Sequence, residues 1–327
     1  MRNWKKLSLA LAIAGLAFAT LLVGWYGFRR IIDAMLSAGA DGFALFCVLQ
    51  ILVVGILGLA WYVIAPAKDG GRLAVFVWGR LVRDAAACCL PFSPVGGFVL
   101  GARAVTLHGI TWSIASLSTV VDLTAEFLSE IAFAAVGLLI LLDRYPDGSM
   151  TAPVAAGLGV ALIAGAVVIW LQRGVAPLFA RLGRRLLGDW LDGGSAGAAQ
   201  SQAELATLYG DTRRLALGTA IHMLGWFGKG VGNWFAFWLL GADISLAGAL
   251  AIEGLLHIIL VSAVLVPGYA GVQEAAYVGL GALFGVPPEV SLGVSLLRRA
   301  RDIAIGIPVL LVWQLFEARR LRAMPPA

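Results

Sequence analysis

The stretch SLLRRARDIAIGIPVLLVWQ, residues 295–314, sets Arg298, Arg299, Arg301 and Asp302 in a run that is otherwise apolar. A second stretch, RLVRD, does the same with Arg80, Arg83 and Asp84, and in a third the acids Asp122, Glu126 and Glu130 recur every four residues. Side chains three and four apart share one face of a helix. The spacing therefore predicts two basic faces, each edged by an aspartate, and one acidic stripe. Arginine's planar fork bonds two oxygens at once, which suits it to phosphate or carboxylate, while a carboxylate accepts from hydroxyls and amines. An acidic stripe opposite two basic clusters would satisfy itself. A cavity of both signs, walled by leucine and valine, would suit an amphiphile with a polar head and an apolar body.

Such charges need a special setting, because the chain around them has the composition of a membrane interior. Of its 327 residues 60% are hydrophobic and 13% charged, about half the roughly 25% charged content of a soluble domain. Several apolar runs reach the roughly 20 residues that a bilayer core requires. The first, at 7–27, follows the cationic MRNWKK; because it continues past Ala17-Phe18-Ala19 and more runs follow, it is expected to be an uncleaved helix rather than a signal peptide. Further membrane segments are expected at about 42–64, 73–101, 112–142, 153–171, 215–240, 247–284 and 290–316. Two of them break in the middle, at LPFSPVGG (90–97) and VPGYAGVQE (266–274). Pro91, Gly96 and Gly97 in the first, and Pro267, Gly268 and Gly271 in the second, are expected to turn each segment into a helix–break–helix hairpin.

Charge parity supports the hairpins. With a cytoplasmic N-terminus and each hairpin returning to its own side, fifteen Lys and Arg fall on cytoplasmic pieces and three on outer loops, a strong positive-inside bias. A single crossing per hairpin would put the arginine-rich loop 172–214 outside. The hairpins then enter from opposite sides, as in the inverted repeats of secondary transporters; the sequence echo is weak enough that coincidence remains the alternative. The expectation is an all-α polytopic protein forming one transmembrane domain over 1–327. It would have about six full spans, two broken hairpins, a basic cytoplasmic loop at about 172–214 resting on the anionic inner leaflet, and both termini cytoplasmic.

Six cations remain inside the membrane segments (Arg80, Arg83, Lys229, Arg298, Arg299, Arg301), against seven acids (Asp84, Asp122, Glu126, Glu130, Glu253, Glu274, Asp302). An unpaired charge at mid-bilayer costs about 2.5–3.5 kcal/mol or more, so these thirteen are expected to line a shared polar interior. For any one of them, pairing that merely holds helices together competes with ligand contact. Glu130 near the outer interface and Lys229 snorkelling to an interface are the plain readings of those two, as is Glu253 bonding His257. Catalytic chemistry is not legible. His108, His222 and His257 offer no metal spacing, HExxH and GxSxG are missing, and Cys47, Cys88 and Cys89 imply neither zinc nor a disulfide framework. The glycines at 225–232 sit in a Trp-rich apolar helix and read as helix packing rather than a nucleotide loop. No cofactor or metal is implied, and nucleic acid is not a partner.

Three stretches carry a family likeness: RLVRDAAACCLPFSPVGGFVLGAR (80–103), PGYAGVQE (267–274) and SLLRRARD (295–302). They resemble the flippase-like family that includes the membrane region of lysylphosphatidylglycerol synthases, and within it the subgroup associated with hopanoid biosynthesis. The resemblance implies an inner-membrane protein that moves a lipid between leaflets, a hopanoid or an anionic phospholipid, in association with lipid-biosynthesis proteins. The chain lacks the soluble aminoacyl-transferring domain of the synthases, so no enzymatic activity is expected. Arg80, Arg83, Arg298, Arg299 and Arg301 are the expected holders of an anionic or polyol head. Asp84, Asp122, Glu126, Glu274 and Asp302 are expected as counter-ions or acceptors, with Glu126 or Glu274 as candidates for proton coupling. A scaffold of lipid synthesis and an ion-coupled transporter of a small solute are the competing readings.

Overall fold

The computed structural model describes residues 36–66, 72–90, 93–145, 209–263 and 271–323, with isolated positions at 29, 33, 152, 156, 157, 159, 162, 163 and 269. The expected span at 7–27, most of that at 153–171 and most of the loop 172–214 lie outside the described residues, as do Pro91, Pro267 and Gly268. The described residues form eight α-helices and no strand: α1 (Ala40–Ile64), α2 (Leu73–Cys89), α3 (Ser93–Thr106), α4 (Trp112–Arg144), α5 (Thr212–Leu239), α6 (Leu246–Ser262), α7 (Val272–Leu283) and α8 (Pro288–Ala323).

Local chemistry starts these helices where they start. Thr111, Asp211 and Ser245 accept from backbone N–H groups in the first turns of α4, α5 and α6, satisfying donors that a helix leaves without partners. Pro288 opens α8, where its missing N–H costs nothing. By length and composition α1 and α4 are the two described helices apolar enough to cross a membrane. The polar and glycine residues of α5 and the charges of α8 dilute the hydropathy of helices of similar length.

Both expected breaks are present, but their glycines do different work. Gly96 and Gly97 lie within α3, not in the break, which falls between Cys89 and Ser93. A Cβ at Gly97 would stand 2.6 Å from the Arg83 carbonyl oxygen, so this glycine lets the two arms of the hairpin close on each other. Gly271 does sit in its break: at φ 77° it begins α7 in a conformation costly for residues with a Cβ.

The helices fall into two quartets, α1–α4 and α5–α8, each running long, short, short, long at 25, 17, 14, 33 and 28, 17, 12, 36 residues. Packing relates the quartets. α1 and α5 run antiparallel, with Gly42 facing Leu239 at one end and Gly218 facing Ile64 at the other. Exchanging the quartets maps α1 on α2 to α5 on α6, α2 on α3 to α6 on α7, α3 on α4 to α7 on α8, and α4 on α6 to α8 on α2, and every one of these pairs is in contact. The hairpin ends match as well. The residues after α3 meet the end of α8 through His108 and Phe316, and the end of α7 meets that of α4, where Tyr145 donates to the Leu283 carbonyl at 2.8 Å. Antiparallel partners exchanged in this way make an inverted-topology repeat; the relation rests on this packing and not on the sequence echo, whose glycines occupy different places in the two hairpins.

Candidate functional site

The first arm of each hairpin carries ionisable residues that face the middle of the bundle. On α2 the 3–4 spacing turns Arg80, Arg83 and Asp84 to one side; on α6, Glu253 and His257 are one turn apart. Arg80 and Glu253 are each the eighth residue of a 17-residue helix, at matching places in the repeat but with opposite charge. Each reaches the long last helix of its own quartet, Arg80 to Glu126 on α4 and Glu253 to Arg298 on α8. Neither α2 with α4 nor α6 with α8 is among the extensively packed helix pairs. Arginine side chains span both gaps.

In the first cluster Arg80 donates to both Glu126 oxygens, at 2.6 and 2.9 Å, and its Nε meets the Asp84 carboxylate at 3.0 Å. Arg83 donates to Asp122 at 2.8 Å and to Glu126, with its guanidinium 4.3 Å from the Phe98 ring centre. An ionised carboxylate only accepts, so His222 donates through Nε2 to Asp122 at 2.8 Å. His222 and Asp122 are fully buried. In the second cluster Arg298 donates to Glu253 at 2.7 and 3.0 Å and to the Tyr277 hydroxyl at 3.1 Å, and that hydroxyl donates to Asn233. Arg299 lies 3.5 Å from Glu274, and Arg301 pairs with Asp302 at 2.7 Å beneath the Phe46 ring.

Between the clusters lies a cavity of about 460 Å³. Of the expected site residues, Arg80, Arg83, Asp84 and Glu126 line it from the first quartet, and Arg298, Arg299, Arg301 and Asp302 from the second. Asp122 is not on the wall; it stands behind Arg83. Glu274 is also off the wall. Its carboxylate accepts from the Gly271 N–H at 2.9 Å and from Ser295 at 3.1 Å, so it holds the start of α7 and backs Arg299. Glu126, the other candidate for proton coupling, is the shared acceptor of Arg80 and Arg83.

Three expectations need correction. The acidic stripe does not face both basic clusters. Of the five cavity arginines, Asp122 and Glu126 meet Arg80 and Arg83, because the stripe runs about 12 Å along α4 and the α8 arginines find Glu253, Glu274 and Asp302 instead. Glu130 and Lys229, plainly read as side chains set apart from the other charges, both line the cavity with them. Arg103, counted with the cytoplasmic loop, is buried in the last turn of α3, where it donates to Glu317 at 2.9 and 3.3 Å. Glu253 does meet His257, through its backbone carbonyl at 2.9 Å and its carboxylate at 3.5 Å, but its shorter carboxylate bonds are to Arg298. His222 carried no sequence signal, being a lone histidine whose partner is 100 residues away.

The family described as the lysylphosphatidylglycerol synthase TM region matches residues 10–309. No curated protein and no solved structure matches the chain.

Proposed function

The chain belongs to the family of the lysylphosphatidylglycerol synthase transmembrane region and is thus a membrane protein, and on that premise we propose that it moves a lipid between the leaflets of the bacterial inner membrane. The observation that carries the reading is the cavity of about 460 Å³, walled by ion pairs inside an apolar helix bundle. That volume falls in the roughly 300–1,000 Å³ range of small-ligand sites, so it fits a lipid head and not a whole lipid. A charged group crossing hydrocarbon unaided costs about 2.5–3.5 kcal/mol at the least. Fixed charges and aromatic edges along the cavity would replace the head's hydration while the acyl chains stay among lipid tails.

Guanidinium edges of Arg298, Arg299 and Arg301 facing the cavity would meet the head, while Arg80 and Arg83 with Glu126 form the opposite wall. The inverted repeat supplies a way to open to one leaflet at a time, by rocking one quartet against the other. The client is a hopanoid-related lipid or an anionic phospholipid, the termini are cytoplasmic, and the activity is transport rather than catalysis. The test is leaflet exchange of a fluorescent phospholipid in vesicles holding the purified protein. Arg301→Ala and Glu126→Gln should each lower exchange by about tenfold, the effect of losing one charge-assisted contact in a crossing state. Unchanged exchange in folded variants would overturn the mechanism.

A further inference from the structure

The charges of the cavity are unequally occupied. Arg80, Arg83, Arg298, Arg299 and Arg301 each have a carboxylate within 4 Å. Among the described residues Lys229 and Glu130, both on the cavity wall, have no such ion pair. Lys229 is on α5, one turn after Trp226, with its ammonium 3.7 Å from the centre of the Trp226 ring. A ring face attracts a cation through its quadrupole and leaves the ammonium's three N–H donors unused. Glu130 is on α4, one turn beyond Glu126, and an ionised carboxylate offers acceptors only.

We propose that Lys229 and Glu130 are the groups that grip the transported head, so that the protein selects a head carrying both an anionic oxygen and an N–H or O–H donor. This rests on the transport reading and adds to it the chemistry of the client. The arginines that meet the head are each shared with a carboxylate already in place, so they add to a grip that the unpaired groups begin. Lys229 has no such competitor, and an anion beside it would compensate a buried ammonium that is otherwise expensive. The same holds in mirror image for Glu130 and a donor. The two residues also belong to different quartets, Glu130 to the first and Lys229 to the second. A head bound to both bridges the repeat, and its affinity therefore depends on how the quartets sit against each other.

The test uses the full chain in detergent micelles with four dioctanoyl lipids, their binding measured by native mass spectrometry. Phosphatidylethanolamine and phosphatidylglycerol have an anion and a donor, phosphatidylcholine has an anion without a donor, and diacylglycerol has a donor without an anion. Wild type should bind the first two about tenfold more tightly than the others, the factor expected for one charge-assisted contact. Lys229→Met should reduce them to the diacylglycerol level and Lys229→Arg should restore them. Glu130→Leu should remove the advantage of the first two over phosphatidylcholine. Equal affinity of wild type for all four lipids overturns the proposal whether or not the variants fold. If vesicle exchange is present yet the four heads bind alike, the assignment of Lys229 and Glu130 falls and transport stands. If the head preference is present and lost in the variants but no lipid exchanges, transport falls and the binding pair stands.

Discussion

Glu253 provides the sharpest test of whether the buried ions hold one another in place. Its side chain is 1% exposed and accepts two hydrogen bonds from Arg298, at 3.0 and 2.7 Å. Replacing it with leucine keeps the volume and removes both. Charge-assisted bonds contribute about 1.5–3 kcal/mol each, and removing one partner of a buried ion pair costs about 3–5 kcal/mol because the other charge is left uncompensated. Arg298 would retain only the Tyr277 hydroxyl, a neutral acceptor. Glu253→Leu is therefore expected to destabilise the protein by about 3–5 kcal/mol, and Glu253→Leu/Arg298→Met to recover all but about 1–2 kcal/mol of that, since apolar replacement of a whole buried pair is often nearly neutral. Unfolding titrations in mixed micelles, on wild type, both single variants and the double, close the cycle. A single-variant cost below about 1 kcal/mol, or effects that add to within about 0.5 kcal/mol, would refute the claim that this pair is a buried, mutually dependent unit.

Two further predictions concern packing. Gly97→Ala would set a Cβ against the Arg83 carbonyl and push the arms of the first hairpin apart, costing about 1–3 kcal/mol as overpacking, whereas Gly55→Ala, with nothing within 4 Å, should stabilise α1 by up to about 1 kcal/mol; thermal unfolding in one detergent compares them. Thr124 and Tyr209 share a hydrogen bond of 2.7 Å that ties the approach to α5 onto α4, so Tyr209→Phe should cost about 1 kcal/mol, and a loss of that size in the same assay checks it.

Much of the scaffold was legible because helices in lipid are specified locally. The described helices that open the expected segments begin within three residues of the apolar runs, and two of those segments are interrupted, between Cys89 and Ser93 and between Ser262 and Val272. The purpose of individual glycines was not legible. Gly97 reads as a loosened turn in sequence and proves to be a close approach between two helices, since only the folded chain shows what its missing Cβ would meet. The site divided in the same way. That the arginines face carboxylates followed from their cost in hydrocarbon; that Glu253 and not the α4 stripe serves Arg298 did not.

The sequence by itself determined that the chain is helical, that two apolar segments are interrupted, and that charges within apolar segments need polar partners or a cavity, because backbone groups and ions exposed to lipid cost several kcal/mol wherever they occur. The tertiary structure decided the partners. Arg80 and Glu126 are 46 residues apart, Arg298 and Glu253 are 45, and periodicity within one helix says nothing about which face of another it will meet. By pairing the arginines and leaving Lys229 and Glu130 to the cavity, the fold selected which of several equivalent charges remain available to a ligand.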